Sequence, residues 1–108
     1  MYCQVTIRVT LRGDSHEVWF VLEVEHESLK MLFNRLKADG ALYGTRFETQ
    51  PSGKGERRVV DAYETILMRD SIVAISELQF DLVDENGRAL FLLNPGDEGD
   101  DAALRAGM

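Results

Sequence analysis

At 108 residues, 44% of them hydrophobic and 29% charged, the chain has the length of one domain that can bury a core without metals or disulfides. A net charge of -7 without a basic stripe argues against nucleic acid as a partner. No apolar run approaches the roughly 20 residues of a membrane helix, and the start, Met1-Tyr2-Cys3-Gln4, carries no secretory signal, so a soluble, cytoplasmic protein with no membrane partner is expected.

The charge is uneven. Residues 84–108 hold six acidic residues against Arg88 and Arg105, so most of the acidity sits at the C-terminal end, where it favours solubility. One cysteine cannot form an intramolecular disulfide, and Cys3 shares an alternating face with Val5 and Ile7, which predicts a buried, inert thiol.

Residues 2–25 read as a hairpin. Cys3, Val5, Ile7, Val9 and Leu11 alternate with polar residues, and Val18, Phe20, Leu22 and Val24 return with the same period of two. With Gly13-Asp14 as the turn, Val9 faces Val18, Ile7 faces Phe20, Val5 faces Leu22 and Cys3 faces Val24. On the other face, Trp19 then lies opposite Arg8 and Val21 opposite Thr6.

Next comes an amphipathic helix over residues 28–39. Leu29, Leu32, Phe33 and Leu36 form one stripe, Ser28 is placed to cap the N-terminus, and Gly40 to end the helix in the left-handed conformation. A third strand follows at 42–49 and a loop at 50–56. The fourth strand, 57–68, has halves that favour different faces, which predicts a bulge near 61–64.

After a turn at Arg69-Asp70-Ser71, a fifth strand is expected from Ile72, running on through Leu78, Phe80 and Leu82 to an Asn86-Gly87 hairpin turn. The sixth, 88–93, is apolar on both faces, as suits a central strand or a subunit contact. The expected class is α+β, in the order β-β-α-β-β-β-β, with one helix on a twisted, barrel-like antiparallel sheet. A closed small barrel of the SH3-like or Sm-like kind is the alternative. Residues 1–96 make the domain, and 97–108 an acidic tail.

Chemistry-bearing constellations are sparse. His16 and His26 each neighbour carboxylates, yet some ten residues of strand put them about 33 Å apart, so they cannot share a metal or a general-base site. His26 with Glu25 and Glu27 is left as a weak metal candidate, and neither a metal nor any other cofactor is expected. Arg12-Gly13-Asp14 is ordinary turn chemistry, and no serine sits in a nucleophile elbow.

The loop Pro51-Ser52-Gly53-Lys54-Gly55 gathers Lys54, Arg57 and Arg58, with Arg46 nearby in sequence, and offers an anion site without a full phosphate-loop pattern. The more persuasive feature is a surface. One short helix covers little of a six-stranded sheet, while Trp19, Val21, Leu67, Val83, Leu90 and Leu92 fall by alternation on the uncovered face. The leading expectation is thus a non-catalytic domain acting through protein contacts, as a homo-oligomer or with another protein, through Arg8, Trp19, Val21, Leu90 and Leu92. A binding module or enzyme for a small anionic ligand, using Arg46, Lys54, Arg57 and Arg58, is the alternative.

Overall fold

The computed structural model describes residues 1–94. The tail expected at 97–108 lies outside the described residues. Strands β1 (Tyr2–Leu11) and β2 (Asp14–Glu23) form the opening hairpin, and its turn is Arg12-Gly13. Both turn residues have positive φ, 54° and 86°, as a type I′ turn requires to match the twist of the flanking strands. The register therefore lies two residues from the expected one, with Cys3 opposite Leu22, Val5 opposite Phe20 and Ile7 opposite Val18. A two-residue shift keeps every side chain on its face, so the buried set survives. Outer-face partners do change: Arg8 lies opposite Glu17, and Trp19 opposite Thr6.

Helix α1 (Leu29–Asp39) has the expected caps. The Met31 amide donates to Ser28 Oγ at 3.2 Å, and the Gly40 amide, at φ 72°, donates to the Leu36 carbonyl at 2.8 Å. Its buried residues, Leu32 and Leu36, face β1, β2 and β3 across the first core, which contains Cys3, Val5, Phe20, Leu22, Leu42 and Leu67.

Strands β3 (Ala41–Pro51) and β4 (Glu56–Met68) form a second long hairpin. Glu48 pairs with Asp61 and Thr49 with Val59, leaving Val60 as the extra residue. This bulge lies just before the expected 61–64 position and exchanges the faces of the two halves of β4. It explains why Leu67 packs under the helix opposite Leu42, instead of on the second face.

A 3-10 turn, Arg69–Ser71, leads into β5 (Ile72–Glu77), and two short strands follow, β6 (Asp81–Val83) and β7 (Ala89–Phe91). The expected fifth strand is thus two, separated at Leu78, Gln79 and Phe80. All seven strands belong to one open sheet, ordered β5-β1-β2-β3-β4-β6-β7 and antiparallel except for β4 with β6. Being open, the sheet rules out the closed-barrel alternative. A two-residue turn at Asn86-Gly87 would set Leu82 opposite Phe91 and Val83 opposite Leu90; the first pair is present, but Val83 opposes Ala89. The reason lies in the turn, where the Asp84 carboxylate accepts from the Asn86 and Arg88 amides and only Gly87 takes positive φ, 85°. Asn86-Gly87 is therefore not a two-residue type I′ turn.

Strand β5 is first in this order and β6 last but one, yet Glu77 and Asp81 are only four residues apart. That length of chain reaches at most about 14 Å, whereas five flat strand spacings cover about 24 Å. The sheet must curl around its second face. Inside the curl lies a second core of Val21, Leu78 and Leu82, flanked by Tyr2, Phe47, Val59, Phe80, Leu90 and Phe91. Among the described residues, no helix is long and apolar enough to cross a membrane.

Candidate contact surfaces

The outer face of the first hairpin is covered by the chain itself. Val21 is fully buried and Leu90 packs half-buried against the cluster that it forms with Leu78 and Leu82, while Leu92 is half-buried beyond β7. Trp19 keeps 41% of its surface exposed, with its ring centroid 5.9 Å from that of Phe80. Its cation partner is Arg57, whose guanidinium lies 4.8 Å from the indole centroid. Arg57 Nε also donates to Thr49 Oγ1 at 2.8 Å, and Nη2 to the Thr49 carbonyl at 3.1 Å. Arg8 is exposed on the hairpin opposite Glu17. Of the five residues expected to form one contact patch, Val21 and Leu90 thus belong to an apolar core, Leu92 lies half-buried beyond β7, and Arg8 and Trp19 stay at the surface of the hairpin, diagonal to one another across its strands. Sequence spacing could not reveal this, because the curl of the sheet brings Arg57 to Trp19.

The four basic residues of the expected anion site do not converge. Arg46 sits on the helix side, its guanidinium carbon 3.9 Å from the Phe20 ring centroid and its Nε 2.7 Å from Glu48 Oε1. Tyr63 Oη donates to the same carboxylate oxygen at 2.8 Å. Burial alone would raise the Glu48 carboxyl, but the hydrogen bonds from Tyr63 and Arg46 outweigh it and hold the group below its ordinary value. Donating to that carboxylate raises the Tyr63 hydroxyl in turn. Arg57 faces the opposite side, against Trp19. Lys54 and Arg58 are exposed and make no ion pair among the described residues. Between them the loop is closed by its own acid, since Ser52 Oγ donates to Glu56 Oε2 at 2.6 Å. A carboxylate within the glycine loop disfavours a bound anion there.

His16 lies in β2 opposite Val9, and His26 in the connection from β2 to α1. His26 lines an open cleft of about 1130 Å³ with Glu23, Glu25, Arg35, Asp39 and Glu64. No set of three metal-binding side chains comes together among the described residues. The cleft escapes sequence reasoning because its walls come from a loop, a helix and a distant hairpin. Cys3 is fully buried, and desolvation raises its thiol to about 11 despite the nearby N-terminal charge, so it is a poor nucleophile.

A further surface lies where α1 meets the open edge of the sheet. Leu29, Phe33 and Leu36 of the helix and Ile72, Val73 and Ile75 of β5 line a groove of about 380 Å³, with Lys37 and Arg69 also on its wall. Phe33 and Val73 remain 56% and 41% exposed. Beside this groove β5 is an outermost strand, with one side paired to β1 and the other unpaired among the described residues. Of the other strand edges left unpaired among the described residues, β4 beyond Arg58 carries the acids Asp61 and Glu64, and β2 from Asp14 to Phe20 carries Asp14 and Glu17, charges that discourage strand addition; β5 shares with β4 a bulge, at Val73. From Ile72 to Ser76, β5 carries no charge, and its one charged residue is the last, Glu77. Phe33 completes the i, i+3, i+4, i+7 stripe, so the helix face was legible from spacing, but its exposure was not.

No family model, curated protein or solved structure matches this chain.

Proposed function

We propose that this chain is a non-catalytic contact domain that works through protein–protein association, most directly with further copies of itself. The observation supporting this reading is the unpaired outer edge of β5, uncharged from Ile72 to Ser76, beside an apolar groove in which Phe33 and Val73 stay exposed. An unpaired edge strand offers a row of backbone donors and acceptors, and an adjoining apolar groove supplies side-chain pockets. Together these are the elements of strand-addition recognition. The loop at 51–56 is a weaker basis for function, because it carries the Glu56 carboxylate bonded to Ser52 and Arg57 is already engaged with Thr49 and Trp19.

Static light scattering across a concentration series tests the reading. A monomer has a mass of 12.2 kDa, and the reading requires a mass that rises towards a multiple of this as concentration increases. A mass of 12.2 kDa throughout would remove self-association, and weight would pass to a different protein partner.

A further inference from the structure

We infer that β5 of one copy adds antiparallel to β5 of a second copy about a two-fold axis at Ile75, joining the two sheets edge to edge. This rests on the self-association reading and specifies its face and register.

Charge complementarity selects the partner. Ile75 and Glu77 pair with Val5 and Cys3 of β1, so both point to the side of the sheet that carries α1. An antiparallel pair keeps opposed residues on one face. With Ile75 against its own copy, Ala74 comes opposite Ser76, and Glu77 of the second copy reaches Val73, the bulged residue left over where β1 pairs Thr6 with Ala74 and Ile7 with Ile72. Val73 lines the groove together with Lys37 and Arg69, and both cations are exposed. Each copy's Glu77, also exposed, then arrives beside the other copy's two cations. Symmetry makes the contact twice. Asp70, the nearest acid in sequence, is not among the groove's lining residues.

The remaining contacts agree. On the helix side, Ile75 meets Ile75 at the axis, and the half-exposed Val73 is covered on both flanks. On the opposite side only the small residues Ala74 and Ser76 meet, so the strands can reach hydrogen-bonding distance. A bulge does not distinguish the edges, because β5 has one at Val73 as β4 has at Val60, but β4 is less suited to self-pairing since it carries two acids that its own copy would bring together.

Light scattering on paired charge variants tests the arrangement. The variant K37E/R69E sets acid against acid, and E77K sets cation against cation, so each alone should dissociate at least about tenfold more readily than the wild type. Mixed in equal amounts, the two should recover a dimer, because every cross-copy contact is again between opposite charges. Ile66→Asp, on a distant exposed face, should leave the mass unchanged. Should E77K fail to fold, Glu77→Gln removes the charge at nearly constant size and should weaken the dimer in the same direction. A wild-type dimer indifferent to these variants, or two weakened variants that do not recover on mixing, would overturn this face while leaving self-association standing. A wild type that is monomeric at every concentration would overturn both.

Discussion

Cys3 shows how one alternating position sets a chemical property. Its neighbours at i+2 and i+4, Val5 and Ile7, place it in the core, and burial raises the thiol from 9.0 to about 11. An acid raised in this way holds its proton more firmly in the folded chain, so it stabilises the fold below about pH 9 and that contribution is lost as pH rises through about 11. Stability should therefore fall over this window by an amount on the order of 2 kcal/mol, with a shallower fall in Cys3→Ala, as read by denaturant titration at each pH. The native thiol should also resist alkylation at neutral pH and react once the chain is unfolded. Gly44 is a second sensitive position, because a Cβ there would lie 2.5 Å from the Glu23 carbonyl oxygen. Gly44→Ala should cost about 2–3 kcal/mol in chemical denaturation, since the obstacle is backbone. The burial of Cys3 was legible in the sequence. The roles of Arg46 and Arg57 were not, because each guanidinium stacks on a ring from another strand.

Among the elements, α1 was the most legible, since its caps and stripe are local features. Ser28→Ala should cost about 1 kcal/mol through loss of the cap to the Met31 amide, measured as a lower denaturation midpoint. The opening hairpin was legible in its faces but not in its register. Gly13 belongs to either candidate turn, and the choice depends on Arg12 accepting a φ of 54°, an unfavourable conformation for an arginine. Arg12→Asn should therefore stabilise the chain by about 0.5 kcal/mol, since asparagine tolerates that region better. A lower midpoint would show that Arg12 contributes contacts beyond its backbone. In β4, Val60 misled the face assignment of Leu67, because an alternating pattern does not reveal which residue a bulge leaves unpaired.

For the whole molecule, the decisive feature is the curl that encloses the second core. Composition and alternation revealed surplus apolar residues, and the structure places two of them, Val21 and Leu90, in or against the core of Leu78 and Leu82. Residues 78–80 form a strap between β5 and β6, where the spacing of Leu78, Phe80 and Leu82 predicts a continuing strand while the chain in fact crosses towards the other end of the sheet. Leu82→Ala should cost about 2–5 kcal/mol, as expected for a fully buried leucine. It should also raise the solvent exposure of Trp19, observable in its fluorescence, because the neighbouring Phe80 would loosen with the strap. A variant that lost no stability would show that the second core adds little to the fold.

The apolar surface that remains exposed at α1 and β5 is then the part of the molecule left for recognition. Amide hydrogen exchange of β5 as a function of protein concentration measures this most directly, because strand addition protects the edge amides that the isolated sheet leaves open. Exchange across Ile72–Glu77 should slow as concentration rises from micromolar to millimolar, while exchange at the free edge of β4 stays constant. Exchange in β5 that is independent of concentration over that whole range would contradict the account.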